Sequence, residues 1–263
     1  MVHVQSLSVW RGGKRIVNHA ELSIVPGEIR VLMGANGAGK STLLNAIAGG
    51  YAHYSGHIWW DGQSLKDISK SQLAQKRAVM AQQVHLSFPM KVHDLVEMGS
   101  YVHHTSMSPG EKDHMILKVL EEVEMLSFRD RIFTSLSGGE QKRTVLAKCL
   151  LQIFCNKHEG GNQYLLMDEP SAGLDIHQQY KFIALIRRLV SKHKIGVLAI
   201  LHDLNLASIF ADHIYFIKSG EITSSGTPDQ VLNETILQST FGIRSIIHSH
   251  PVYGCPQITA LPL

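Results

Sequence analysis

Nothing in these 263 residues approaches the roughly 18 consecutive apolar residues that a membrane-spanning helix requires, so any membrane part of this protein's work falls to other chains. Residues 1–9 carry His3, Gln5, Ser6 and Ser8 where a secretory leader has an apolar stretch, and we expect no leader. Cysteine is scarce. Cys149, Cys155 and Cys255 form no C-x-x-C pair, and an odd number makes no disulfide framework; the expected setting is a reducing compartment, the cytoplasm. Charge of one sign is lacking too: the net charge of +3 is too small to argue by field alone for nucleic acid or an anionic membrane. Repeats, low-complexity tracts and linkers are absent. With 44% hydrophobic and 18% charged residues, the chain reads as one globular unit.

What is present is an alternation of short apolar runs with helix-like stretches, the pattern of an α/β fold. Residues 29–33 form a short apolar-rich run after the turn signal Pro26-Gly27. A glycine-rich loop follows, then a helix-forming stretch over 41–48 that stops at Gly49-Gly50. A second run, 164–167, leads at once into Asp168, Glu169 and Pro170, and a third, 196–201, into His202 and Asp203. Ligands of open α/β sheets bind beyond the carboxyl ends of the strands. Three strand ends here therefore carry phosphate-type or acid–base chemistry. Between them, residues 90–152 contain few strand signals. Ile116, Leu117, Leu120 and Val123 within 112–125 recur at helical spacing, which predicts a helical subdomain inserted into the core. Residues 214–217 and 221–223 flank Lys218-Ser219-Gly220 as a hairpin.

The loop reads Gly34-Ala35-Asn36-Gly37-Ala38-Gly39-Lys40-Ser41, with Thr42 next, and fits G-x-x-x-x-G-K-[ST]. Its backbone N–H groups and the following helix N-terminus form an anion cradle, and its glycines let the backbone close around phosphate. Lys40 reaches the β- and γ-phosphates, and the Ser41 hydroxyl ligates Mg²⁺. The flanking strand and helix favour this reading over a glycine-rich turn with a surface lysine. Asp168 is placed to hold Mg²⁺, and Glu169 to orient and deprotonate an attacking water. Alone, two acids after a strand read as a solvated loop; the phosphate loop upstream reverses that balance. Leu136-Ser137-Gly138-Gly139-Glu140 opens another helix, and a serine followed by two glycines there is a second anion site. Two half-sites suggest one composite site built across a dimer.

Over essentially its whole length the chain resembles the ATP-binding subunit of ABC transporters. The phosphate loop, the Leu136 to Glu140 signature and the segment ending in Asp168 and Glu169 occur in the family's order. Gln82 matches the Q-loop glutamine that joins core to helical subdomain, with Gln83 the alternative; Asp175 matches the acid of the D-loop, and His202 the switch histidine that contacts the γ-phosphate. Trp10 lies where the family has a tyrosine stacked on adenine, the alternative being an ordinary core or surface aromatic.

The resemblance implies a RecA-like P-loop core (1–85 and 153–242), an N-terminal antiparallel β subdomain, the helical subdomain at 86–152 and a C-terminal extension at 243–263. It implies ATP and Mg²⁺, with Ser41, Gln82 and Asp168 on the metal, Glu169, His202 and Gln82 in catalysis, and the signature closing on ATP held by the opposite subunit of a homodimer. It also implies a two-copy transmembrane permease, a periplasmic substrate-binding protein acting indirectly, no nucleic acid, and a peripheral place on the cytoplasmic face of a bacterial inner membrane. The permease pocket is expected around residues 85–104, where Phe88, Pro89, Met90, Leu95, Val96, Met98 and Tyr101 supply apolar surface, unless they only build the subdomain core. Two departures stand out. Glu140 ends the signature where glutamine is common, and the stretch to Asp168 is long, with the excess near 156–163 read as a surface loop.

The run from Leu201 to Ala207, Val96-Glu97-Met98-Gly99 with Tyr101, and Leu174-Asp175-Ile176-His177-Gln178-Gln179 are similar to importers of iron chelates, haem and vitamin B12. His177-Gln178-Gln179 and the long loop are most similar to haem importers, with ferric siderophore and cobalamin as the other cargoes. A soluble ABC ATPase that moves no cargo, a translation-type protein and an exporter fit less well. Of the 16 histidines, His103-His104 and His248-Ser249-His250 cluster most closely, but neither has the spacing of a structural zinc site.

Overall fold

The computed structural model describes residues 1–82, 86, 88–103, 108–155 and 161–261. Gln83, His85, His104 and residues 156–160 of the expected surface loop lie outside them. The chain opens with antiparallel strands β1 (Val2–Arg11) and β2 (Lys14–Ile24), joined by the Gly12-Gly13 turn. Strand β3 (Ile29–Met33) then leads into helix α1 (Lys40–Ile47). Next come β4 (Tyr54–Trp60), β5 (Gln63–Ser64), α2 (Lys70–Lys76) and β6 (Arg77–Met80). Helices α3 (Val92–Glu97), α4 (Pro109–Glu122) and α5 (Gly138–Phe154) follow. Strand β7 (Tyr164–Met167), α6 (Ile176–His193), β8 (Gly196–Ile200) and α7 (Leu204–Phe210) return the chain to the sheet. It ends with β9 (His213–Lys218), β10 (Glu221–Gly226), α8 (Pro228–Val231), α9 (Glu234–Phe241), β11 (Arg244–Ser249) and β12 (Pro256–Leu261).

Three sheets result. One is antiparallel, in the order β2-β1-β4-β5. The second has six strands in the order β10-β9-β3-β8-β7-β6, of which all but β10 run parallel. The third is the terminal hairpin β11-β12. Strands β7 and β8 are buried along their whole length, which is why they read as unbroken apolar runs rather than alternating ones. Within β3, Val31 and Met33 face one hydrophobic cluster and Leu32 the other. The first cluster also holds Leu95, Ile116, Leu120, Leu146 and Leu150, so α3, α4 and α5 share their core with one face of the central sheet. The second joins the other face to α1 and the antiparallel sheet.

Helix α4 begins upstream of the first periodic apolar residue because Ser108 caps it. Ser108 Oγ accepts from the Glu111 amide (3.3 Å), the Glu111 carboxylate accepts from the Ser108 amide (2.9 Å), and Pro109 takes the first turn. The start of β3 is held from the far side. Asp212 accepts from the Ile29 amide (2.7 Å) and from both ends of the Arg187 fork. Burial pushes the Asp212 carboxyl up, but these hydrogen bonds and the nearby arginine charges outweigh it and hold it below its ordinary value. Its contribution to stability is thus present above the unfolded carboxylate pKa of about 3.9 and lost as pH falls through the lower folded value.

The terminal hairpin docks on α7. The Asn205 side chain accepts from the Ile258 amide (2.7 Å) and donates to the Ile258 carbonyl (3.0 Å), while Ser208 Oγ donates to the Pro256 carbonyl. No helix among the described residues is long and apolar enough to cross a membrane.

Candidate active site

Strands β3, β8, β7 and β6 are consecutive neighbours, about 4.8 Å apart, and all end on the same edge of the sheet. The loop 34–42 leaves β3, His202 follows β8, Asp168 and Glu169 follow β7, and Gln82 follows β6. Parallel pairing alone therefore lines up four segments that are scattered along the chain.

The loop closes tightly against β9 and β2. A Cβ on Gly34 would lie 2.1 Å from the Ile217 carbonyl oxygen, and Gly39 has φ +106° and sits against the Ile16 carbonyl. Lys40 is only 6% exposed, and its Nζ donates to the carbonyls of Gly34 (2.8 Å) and Ala35 (2.9 Å). Burial lowers the pKa of this ammonium, while the charges of Glu169 and Asp168 oppose that shift. Next to it, Ser41 Oγ donates to Asp168 Oδ1 (3.2 Å), and the Asp168 amide donates to the Met80 carbonyl (3.0 Å). Burial, aided by the Glu169 charge, raises the Asp168 carboxyl against the pull of Ser41, Lys40 and His202.

Glu169 occupies the left-handed region, φ +48°, a strained setting for a residue with a Cβ. Both of its carboxylate oxygens are engaged: Gln82 Nε2 donates to Oε2 (2.7 Å), and His202 Nε2 lies 2.6 Å from Oε1. An open cleft of about 730 Å³ spans the edge, lined by the loop, Gln82, Glu169 and His202, with Arg11 and Ile16 closing one side.

The segment 136–140 lies elsewhere. Ser137 caps α5 in a reciprocal arrangement in which its amide donates to the Glu140 carboxylate (2.8 Å) and its hydroxyl accepts from the Glu140 amide (3.5 Å). Those contacts hold the Glu140 carboxyl below its ordinary value. Asp175 caps α6 by accepting from the Gln178 amide (2.9 Å).

A profile of the ABC transporter family matches residues 17–172. The chain is 36% identical to the hemin import ATP-binding protein HmuV of Mesorhizobium japonicum, over 97% of each chain. It is 34% identical to HmuV of Escherichia coli O157:H7, over 98% of each. The chain belongs to the ABC transporter family. Among solved structures, a putative metal-chelate type ABC transporter in an inward-facing conformation shares the fold, with a TM-score of 0.81 at 20% identity over 99% of this chain and 97% of that one. A dimeric bacterial ABC transporter cassette gives a TM-score of 0.72 at 25% identity over 86% of this chain and 98% of that one.

Within this ABC cassette fold, Gly34 to Thr42, Gln82, Asp168, Glu169 and His202 gather on one strand edge. Among the described residues, none of Leu136, Ser137, Gly138, Gly139, Glu140 or Asp175 lines that cleft. Trp10, 43% exposed, does not line it either; its neighbour Arg11 does. Arg11 and Ile16 were invisible as site residues in the sequence. Only the Gly12-Gly13 hairpin beside Arg11 carried a signal that this strand end turns toward the loop.

Proposed function

We propose that this chain is the ATP-hydrolysing subunit of a binding-protein-dependent importer of haem (hemin). The observation that carries the chemistry is the meeting of the loop, Asp168, Glu169, His202 and Gln82 on one edge of the sheet. The cargo rests on near full-length similarity to hemin import ATP-binding proteins.

ATP lays its phosphates in the loop, where Lys40 exchanges the Gly34 and Ala35 carbonyls for β- and γ-phosphate oxygens. Ser41 and Asp168 already lie in hydrogen-bond contact, and with Gln82 they form an all-oxygen donor set that suits Mg²⁺. When bound, that ion neutralises charge on the phosphates. Glu169 orients the attacking water and accepts its proton; each of its oxygens keeps a second lone pair beside Gln82 or His202, and withdrawal of Gln82 opens Oε2 fully to that water. His202 then donates to the γ-phosphate.

The signature residues Ser137, Gly138 and Gly139 complete the site from a second copy, because they lie outside the cleft of their own chain. Closing the two copies pulls on a two-copy permease at the cytoplasmic face of the inner membrane. Phe88 and Tyr101, 57% and 50% exposed, offer that permease an apolar contact. A periplasmic binding protein delivers cargo to the permease and touches this chain only indirectly.

At the adenine end, Arg11 and Ile16 face the cleft and Trp10 does not. A guanidinium stacked on a purine is worth about 0.5–2 kcal/mol. Arg11→Ala is therefore expected to weaken ATP binding several-fold, while Trp10→Ala leaves it within twofold. Titration calorimetry with a slowly hydrolysed ATP analogue checks this; the opposite ranking returns the platform to Trp10.

The cargo assignment is tested by growth. Cells lacking this chain are expected to lose growth on haem as sole iron source and to keep growth on ferric siderophores. The reverse pattern would move the cargo to siderophores and leave the ATPase mechanism in place.

A further inference from the structure

The signature helix and the catalytic carboxylate are joined by a chain of hydrogen bonds that passes through a single residue. Lys142 lies one turn behind Gly138 on α5, and both face a cleft of about 510 Å³ bounded by residues 80–82 and 172–174. Across it, Lys142 Nζ donates to the backbone carbonyl of Gln82 at 2.6 Å. The side chain of the same Gln82 donates to Glu169 Oε2 at 2.7 Å, and His202 holds the other oxygen. Backbone and side chain of one residue move together, so whatever pulls the Gln82 carbonyl also pulls the amide off Glu169. Lys142 does not line the cleft that takes the nucleotide. Its ammonium is partly desolvated, which lowers its pKa against the pull of the Glu169 charge. A cation with easier access to water would not sit there without a partner.

We propose that Lys142 is a positioning residue for hydrolysis: it ties the helix carrying Ser137, Gly138 and Gly139 to Gln82, so that seating this helix on a second copy's nucleotide shifts Gln82 and frees Oε2 of Glu169. The inference rests on the ATPase reading above and adds to it the device that makes closure and activation of the base one event. In the open chain the base is clamped on both oxygens. Lys142 carries the release signal from the helical segment to that clamp.

Two substitutions in the full-length chain test this. Lys142→Met keeps the apolar stem as far as the ε position but removes the donor; Lys142→Arg keeps a cationic donor. Should the methionine variant fail to fold, Lys142→Gln, one bond too short for the contact, replaces it. Hydrogen–deuterium exchange on the nucleotide-free chain is the first readout: the peptide carrying β6, whose residues pair with β7 and lead into Gln82, should exchange at least fivefold faster in Lys142→Met and at the wild-type rate in Lys142→Arg. Steady-state ATP hydrolysis is the second: kcat should fall about tenfold in Lys142→Met, with KM for ATP within twofold, and recover to within threefold of wild type in Lys142→Arg. Unchanged exchange in Lys142→Met, a loss confined to KM, or an equal loss in both variants overturns the proposal. If the wild-type chain hydrolyses no ATP, the ATPase reading fails, and the exchange experiment still decides whether the tether exists.

Discussion

Glu169→Gln is expected to keep ATP binding and to lose turnover by about 10²–10⁴-fold, the loss that follows removal of a positioned general base. The substitution is nearly isosteric. Its amide oxygen can still accept from Gln82 Nε2, and its NH₂ can donate to the unprotonated tautomer of His202 Nε2, so the local framework survives while the proton acceptor does not. Because hydrolysis is what reopens the closed pair, ATP should then hold two copies of the variant together. Size-exclusion chromatography with and without ATP, alongside phosphate release, reads both effects. A variant that stays monomeric with ATP and hydrolyses it at the wild-type rate would remove Glu169 from the mechanism and weaken the dimer reading with it.

Lys40→Ala should act earlier, on binding itself. The Lys40 ammonium is already buried and held inside the loop by two carbonyls, so much of its desolvation precedes the arrival of ATP. Phosphate oxygens replace those carbonyls with charge-assisted hydrogen bonds, each worth about 1.5–3 kcal/mol. Losing two such bonds implies at least a hundredfold weaker binding. The same calorimetric titration measures it. Normal affinity and normal hydrolysis in Lys40→Ala would overturn the phosphate-loop assignment. The two variants separate cleanly, since one binds without turning over and the other does not bind.

Much of the site was legible in the chain because its chemistry depends on local geometry. A phosphate cradle needs consecutive glycines, a lysine and a helix start within a few residues, and that requirement is written directly into positions 34–42. The runs 164–167 and 196–201 were equally plain. A strand covered on both faces is apolar throughout, and the change to Asp168 or His202 marks where it reaches solvent. Capping explains the boundaries that periodicity missed: α4 starts at Pro109 because Ser108 and Glu111 satisfy each other's amides, a signal carried by side chains that are not apolar.

Contacts between distant segments were not legible, for a physical reason. Strand order follows from how the apolar faces pack on helices, and a strand's own residues do not name its neighbours. The pairing of β6 with β7 is what brings Gln82 to Glu169, 87 residues away. Irregular pairing of β1 with β2, with a register shift between Val9 and Trp10, precedes the strand end where Arg11 rather than Trp10 lines the cleft, and a match of motifs has no access to that direction. Lys142 reads in sequence as one more cation on a helix; its role exists only because α5 lies across the end of β6. By itself, then, the sequence determined the α/β class, the phosphate loop and the acid pair that follows a strand, since each is a short-range pattern of adjacent residues; His202 was singled out as a switch histidine only through the family resemblance. Tertiary structure alone decided which strand ends stand side by side and that both oxygens of Glu169 are engaged, because those are outcomes of long-range packing rather than of local propensity.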